Sequence, residues 1–133
     1  MFRIFLLIII FSACGPSRAA RIQRKMDFHE VPPKFLKAPL ENFSVLSRFG
    51  KRGKSFHTGI DVRSKGGGAG KVFSSGAGRV KTETTQSGYG RMLIITHQKN
   101  YQTRYAHLKK FLVKTGSWIK YGAAIGITGK TGR

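Results

Sequence analysis

The chain has 133 residues, enough for one ordinary domain once its apolar N-terminal segment is set aside. Its 25 Lys and Arg residues against 5 Asp and Glu residues give a formal net charge of +20. This charge indicates an anionic environment, either nucleic acid or a negatively charged cell envelope, and does not by itself decide between them. The alternative is that the basic residues only form solvated faces. Ordinary apolar content excludes wholesale disorder, and a single cysteine excludes an internal disulfide framework.

The N-terminal segment 1–14 has the pattern of an export signal. Arg3 precedes an unbroken apolar run over 4–11, and small residues then lead to Cys14. The run is too short to cross a bilayer as a helix, which takes about 20 residues, so it predicts a signal peptide. Small residues before a cysteine resemble a bacterial lipobox, although Phe11 stands where Leu is usual. The alternative is an ordinary signal peptide cleaved nearby. Both predict export, and the lipobox predicts a cell-envelope protein attached to the membrane through lipidated Cys14.

Segment 15–40 has the composition of an extended, basic linker. Three prolines at 32, 33 and 39 disfavour a helix. Four Lys and Arg residues over 18–25 would lie near the membrane if Cys14 carries a lipid, and they would favour anionic lipid there. We therefore expect a tether that leads into a folded domain over 41–133.

From residue 41 onward, short runs of β-branched and aromatic residues alternate with glycines, which is typical of strands. Strands are predicted over 43–49, 56–62, 71–74, 79–85, 91–97, 102–107 and 124–128. The run Met92-Leu93-Ile94-Ile95 is apolar throughout, which favours a central strand. The predicted fold class is mainly β, a single compact antiparallel domain, and no internal repeat is present.

The most informative pattern is His57-Thr58-Gly59-Ile60-Asp61. Asp61 is the single acidic residue between Glu41 and Glu83, so a carboxylate four residues from an imidazole points to a specific use. A divalent metal is the natural candidate, because Zn²⁺ takes both histidine nitrogen and aspartate oxygen. On a straight strand the two residues would lie about 13 Å apart. The chain must therefore bend between them to hold one ion, and Gly59 permits the bend.

The remaining histidines receive different interpretations. His107 lies at the end of a predicted strand, where an imidazole could face a cleft and act as a general base or proton carrier. His97 ends the preceding strand and is interpreted as a hydrogen-bonded structural residue, and His29 falls in the linker. The C-terminal Ala124–Thr131 segment nearly fits a phosphate-binding loop, but that motif needs a following helix and Gly at its first position, so nucleotide binding is not expected.

In their order and spacing, the motifs of residues 40–133 closely resemble the lysostaphin/LytM-type zinc metalloendopeptidases of bacterial cell walls. The segments that carry the resemblance are 48–50, 57–61, 78–80, 88–90, 95–97, 103–108, 116–122, 125–126 and 129–133. The resemblance implies an antiparallel β domain with a groove, one Zn²⁺ and cleavage of peptide cross-links in peptidoglycan. It implies that His57 and Asp61 are zinc ligands and that His107 is a catalytic histidine beside the metal-bound water.

Members of that family usually continue past Thr-Gly-Arg into a His-x-His segment, which supplies a third zinc ligand and a second catalytic histidine. This sequence stops at Arg133. We therefore expect a missing closing strand, weak zinc binding and little cleavage by the chain as written. Three explanations remain open: a fragment of an active enzyme, a disrupted gene, and a non-catalytic module that binds the cell wall or regulates other wall hydrolases. A nucleic-acid-binding β domain would suit the charge, but the export signal argues against it.

Overall fold

The computed structural model describes residues 8–10, 37–98 and 101–132, and within these ranges the chain forms twelve strands and no α-helix. The strands are β1 (Ile8–Ile10), β2 (Phe43–Ser47), β3 (Gly50–Arg52), β4 (Ser55–His57), β5 (Asp61–Ser64), β6 (Lys71–Phe73), β7 (Gly78–Thr84), β8 (Arg91–Thr96), β9 (Gln102–Tyr105), β10 (Leu108–Phe111), β11 (Trp118–Ile119) and β12 (Ala124–Thr128). All pairings between these strands are antiparallel. The predicted class, a mainly antiparallel β domain, is confirmed.

The largest sheet has five strands in the order β1-β9-β8-β7-β11. Strand β8 lies at its centre, as the apolar run over 92–95 predicted, and all four of those residues are buried. A strand with both faces covered needs apolar residues at every position, which explains why this run does not alternate. Strand β7 does alternate at its start, with Gly78 and Val80 buried and Arg79 and Lys81 exposed.

Three smaller sheets complete the domain: β10-β12-β6, β2-β5 and the β3-β4 hairpin. One main core joins the five-stranded sheet to the β10-β12-β6 and β2-β5 sheets. Its buried members are Leu40, Val62, Val72, Val80, Leu93, Ile95, Tyr105, Leu108, Ile119 and Ile125. A second buried cluster is formed by Met92, Ile94 and Ala106. Met92 and Ile94 alternate along β8 with the main-core residues Leu93 and Ile95, so they lie on the opposite face of the sheet. Two core residues, Val62 of β5 and Tyr105 of β9, therefore anchor the strands next to the candidate site residues Asp61 and His107.

The strand boundaries differ from the sequence prediction in an instructive place. The predicted strand over 56–62 is two strands, β4 and β5, separated by the turn at 58–60. These two strands belong to different sheets, because β4 pairs with β3 and β5 pairs with β2. At the expected bend around Gly59 the chain therefore leaves the β3-β4 hairpin and enters the β2-β5 sheet.

The N-terminal predictions fall mostly outside the described residues. Cys14, His29 and segment 15–36 are among the residues not described. Strand Ile8–Ile10, from the predicted apolar run, pairs with β9 at the edge of the five-stranded sheet. The described end of the predicted linker packs on the domain, since Leu40 is buried in the core and the Pro39 carbonyl accepts a hydrogen bond from the Phe73 N–H at 2.8 Å. The folded unit thus begins before residue 41.

A search of the described residues for a helix that is both long and apolar enough to span a bilayer finds none.

Candidate metal centre

A short hairpin places the first candidate ligand. Strands β3 and β4 turn at Gly53, whose φ of +57° lies in the left-handed region that glycine adopts without a Cβ penalty. The resulting register pairs Gly50 with His57 and Arg52 with Ser55. On the same hairpin, the rings of Phe49 and Phe56 pack edge to face with centroids 5.1 Å apart. Because side chains alternate along a strand, Phe56 points away from the face that carries His57.

The turn at 58–60 brings His57 and Asp61 together. Nε2 of His57 lies 3.1 Å from Oδ1 of Asp61. Two ligand atoms bound to one tetrahedral zinc at about 2.0–2.2 Å lie about 3.3–3.5 Å apart. The observed separation of 3.1 Å is slightly shorter than that, so a small shift would let the two side chains hold one ion. Both side chains are largely buried, with 16% of the His57 side chain and 10% of the Asp61 side chain exposed. The nitrogen and oxygen donors suit zinc.

The second ring nitrogen of His57 faces a backbone carbonyl. Nδ1 lies 2.9 Å from the oxygen of Arg48. A proton on Nδ1 would be donated to this carbonyl, leaving the lone pair of Nε2 directed at the Asp61 carboxylate. That arrangement is unfavourable unless a cation lies between them, and it is the usual arrangement of a metal-binding histidine, whose other nitrogen donates to a carbonyl or carboxylate.

Arg52 forms an ion pair with the Asp61 carboxylate, and the sequence analysis did not identify it. One of its guanidinium nitrogens, Nη2, lies 2.6 Å from Oδ2 of Asp61 and 2.8 Å from Nδ1 of His57, and it also contacts the hydroxyl of Ser47. The hairpin register could have identified it: Gly50 pairs with His57, and Arg52 lies on the same face two residues along, within reach of a long side chain.

His107 lies at a strained position after β9. Its φ of +57° is the single positive value among the described non-glycine residues, and such conformations persist where surrounding contacts fix them. The His107 N–H donates to the carbonyl of Tyr89 at 2.8 Å, and the two rings lie 6.5 Å apart. Nδ1 lies 2.8 Å from the carbonyl oxygen of Thr131. A proton on Nδ1 makes Nε2 the nitrogen that can accept another.

Thr131 acts as a clamp on this histidine: its carbonyl contacts the ring, and its hydroxyl is itself fixed by two hydrogen bonds. The hydroxyl of Thr131 accepts a hydrogen bond from the Arg91 N–H at 2.9 Å and donates one to the Leu108 carbonyl at 3.0 Å. A Cβ on Gly90 would approach the Thr131 carbonyl carbon to 2.4 Å, so close packing at this point requires glycine. The segment that resembles a phosphate-binding loop is thus a strand, β12, followed by a backbone support for His107.

His97 serves a different purpose. It is buried, its Nδ1 lies 2.7 Å from the Ala77 carbonyl, and its Nε2 lies 2.8 Å from the Thr103 hydroxyl. That hydroxyl is 3.0 Å from the hydroxyl of Tyr105, which accepts the Ser75 N–H at 2.8 Å. This buried chain of hydrogen bonds ties the five-stranded sheet to the loop after β6, as expected of a structural histidine.

The described residues include no group of three or more His, Cys, Asp or Glu side chains placed to hold one metal ion. His57 and Asp61 meet, whereas His107 does not join them as a third ligand. A cavity of about 450 Å³ lies elsewhere, between residues 40–42 and the glycine-rich loop that follows β5, and none of the three site residues lines it. The arrangement is therefore a pair of candidate ligands, His57 and Asp61, beside Arg52.

A known protein family covers most of the region described above. The sequence model of peptidase family M23 matches residues 55–133, which is more than half of the chain and includes all three site residues. This chain belongs to peptidase family M23. The predicted resemblance to LytM-type metalloendopeptidases is confirmed.

Several M23 relatives have names that describe wall chemistry. The peptidoglycan DD-endopeptidase ShyB of Vibrio cholerae is 40% identical over 77 residues, covering 58% of this chain and 18% of ShyB. ShyC of the same organism, also a peptidoglycan DD-endopeptidase, is 35% identical over 106 residues, covering 74% of this chain and 24% of ShyC. A lipoprotein NlpD/LppB homolog of Pseudomonas aeruginosa is 33% identical and covers 67% of this chain and 29% of its own length. The chain spans less than a third of each of these relatives.

Solved M23-type structures share the fold. A zinc-containing peptidase from Vibrio cholerae superposes with a TM-score of 0.63 at 29% identity, covering 74% of this chain and 33% of that one. A mutant catalytic domain of the prophage-encoded M23 protein EnpA from Enterococcus faecalis gives a TM-score of 0.66 at 27% identity, covering 74% and 78%. The β architecture described here is therefore that of an M23 domain.

Proposed function

We propose that this chain is the metallopeptidase domain of an exported, zinc-dependent endopeptidase that cleaves peptide cross-links in bacterial peptidoglycan. The observation that carries the proposal is the 3.1 Å approach of His57 Nε2 to Asp61 Oδ1, with Nδ1 of the same ring 2.9 Å from a backbone carbonyl. Membership of family M23 and relatives named peptidoglycan DD-endopeptidases support the reaction class.

In this proposal His57 and Asp61 hold Zn²⁺ through Nε2 and a carboxylate oxygen, and the Arg48 carbonyl fixes the His57 ring. If held by these residues, Zn²⁺ would supply Lewis acidity toward a water molecule and the scissile carbonyl. The described residues supply two ligands of the three that a catalytic zinc normally takes from protein. We accordingly expect weak zinc binding and low activity from these residues by themselves.

His107 is the proposed proton-transfer residue. Its Nδ1 is held against the Thr131 carbonyl, so Nε2 is the nitrogen that would take a proton from the attacking water, and once protonated it could donate a hydrogen bond to the developing oxyanion. The left-handed backbone at His107 supports this assignment, because strained conformations concentrate at functional positions. The neighbouring Tyr89 ring restricts the space in which the imidazole can move.

The proposed location is the cell envelope, with the domain lipid-anchored through Cys14. Relatives named as lipoproteins, the NlpD/LppB homolog and YgeR of Escherichia coli, support this placement. The large excess of basic over acidic residues would hold such a protein near anionic lipid or wall polymers.

A second candidate is a non-catalytic module that binds the cell wall or regulates other hydrolases. It is favoured by the lack of a three-ligand group among the described residues. It is disfavoured by the retained pair of His57 and Asp61, whose donor atoms lie 3.1 Å apart.

Digestion of purified peptidoglycan separates the two candidates. The full chain is incubated with sacculi in the presence of zinc or of a chelator, and released fragments are identified by mass spectrometry. The enzyme proposal predicts slow cross-link cleavage, detected after prolonged digestion, that is lost on chelation and in His57→Ala and Asp61→Ala, with the exposed Lys54→Ala as a control outside the site. Binding to sacculi without any cleavage, equal in all variants and unaffected by chelation, would support the module instead.

A further inference from the structure

The two ring nitrogens of His57 have more partners than one protonation state can satisfy. Nδ1 faces both the carbonyl oxygen of Arg48 at 2.9 Å, which needs a donor, and Nη2 of Arg52 at 2.8 Å, which is itself a donor. Nε2 faces the Asp61 carboxylate at 3.1 Å. The guanidinium cannot act as an acceptor at any accessible pH. Arg48 and Arg52 therefore require opposite states of the same nitrogen.

Two hydrogen-bond patterns resolve this conflict. In the first, Arg52 donates to Nδ1 and to Oδ2 of Asp61, and His57 donates its Nε2 proton to Oδ1 of Asp61, which closes a ring of charge-assisted bonds. In the second, Nδ1 carries the proton and donates it to the Arg48 carbonyl, and the lone pair of Nε2 faces Asp61. In the first pattern Nε2 of His57 is protonated and cannot bind a metal. In the second pattern the Nε2 lone pair remains available for a metal.

We propose that Arg52 is an internal cation that keeps the metal site closed and that a divalent metal must displace it from His57. This inference rests on the proposed function, because it concerns the same pair of ligands. In the closed state Arg52 selects the tautomer protonated on Nε2, which cannot bind metal through that nitrogen. In the open state the Arg48 carbonyl takes over Nδ1, as the backbone partner of a metal-binding histidine does.

The position of Arg52 suits this role. Its side chain is 42% exposed, whereas the Asp61 side chain is 10% exposed, so the cation can swing into solvent while the carboxylate remains in place. The Ser47 hydroxyl and Oδ2 of Asp61 offer Arg52 two contacts that do not involve His57. The positive charge of Arg52 also opposes a second cation at the same carboxylate.

The test compares Arg52→Ala with Lys54→Ala in the full chain. Lys54 lies at the turn of the same hairpin and is exposed, so its removal deletes an equal charge without touching the site. Imidazole nitrogen resonances of His57 in ¹⁵N-labelled protein report which nitrogen carries the proton, and their response to added Zn²⁺ gives a dissociation constant.

The metal-free parent chain is expected to carry the His57 proton on Nε2, and Arg52→Ala is expected to move it to Nδ1. The zinc dissociation constant should fall about tenfold or more in Arg52→Ala, because the binding-competent state no longer competes with the closed one. Lys54→Ala should change it less than about twofold, since an exposed charge is screened.

Three results would overturn the inference, and the third would also overturn the proposed metal site. In the first, the parent chain binds zinc at His57, but Arg52→Ala lowers the dissociation constant no more than Lys54→Ala does. In the second, the metal-free parent chain already carries the His57 proton on Nδ1. Either result overturns the role of Arg52 and leaves the proposed metal site intact. A lack of any zinc response at His57 in both proteins overturns the proposed metal site and this inference together.

Discussion

Replacing Tyr105 by Phe tests the buried hydrogen-bond chain that distinguishes His97 from the site histidines. Tyr105 is fully buried, and its hydroxyl accepts the N–H of Ser75, which is 2% exposed. The substitution leaves no large cavity, but it strands that N–H and removes the 3.0 Å contact with Thr103. A buried donor without a partner costs about 1–3 kcal/mol, so we expect the free energy of unfolding to fall by about 2 kcal/mol.

Urea unfolding followed by tryptophan fluorescence measures this change, with a lower midpoint and an unchanged m-value as the expected signature. Tyr121→Phe is the matched control, because Tyr121 is 54% exposed and the same atom is deleted there; its effect should stay within about 0.5 kcal/mol. Zinc binding at His57 should not change in either variant. A Tyr105→Phe protein as stable as the control would refute the view that this network holds the sheet to the loop after β6.

Two further substitutions test the packing of the domain and the support of His107, the proposed catalytic histidine. Gly78→Ala should lower the free energy of unfolding by about 1–3 kcal/mol, because its Cβ would lie 2.4 Å from the Thr96 carbonyl oxygen; Gly68→Ala, with open space around it, should be nearly neutral, and equal effects would contradict the packing argument. Thr131→Val should cost about 1–2 kcal/mol through two lost hydrogen bonds. It should also loosen the ring of His107, seen as a shifted or broadened Nδ1–H resonance, and an unchanged resonance would argue against the clamp.

The sequence predicted the approach of His57 to Asp61 because the reasoning there was local. Gly59 allows the backbone to bend between His57 and Asp61, and the hypothesis that both side chains hold one ion required such a bend. The class of fold was likewise accessible, since β8 carries a run of apolar residues that only a strand covered on both faces needs.

Features that depend on strand register escaped the sequence analysis. Arg52 reaches Asp61 because the turn at Gly53 pairs Gly50 with His57, and that turn had not been assigned. Strand Trp118–Ile119 has two residues and owes its conformation to pairing with β7 rather than to its own pattern. Leu40 follows a proline in a segment of linker composition, yet it is buried because the core of the folded domain reaches it. Tertiary contacts decide such cases, and local propensity does not.

The most direct test of the central claim is anomalous X-ray scattering at the zinc edge from crystals of this chain soaked in Zn²⁺. The account predicts one peak at about 2.0–2.2 Å from both His57 Nε2 and Asp61 Oδ1, with Nδ1 still against the Arg48 carbonyl and Arg52 withdrawn from the ring. Zinc peaks confined to other residues, with His57 and Asp61 remaining in direct contact, would contradict it.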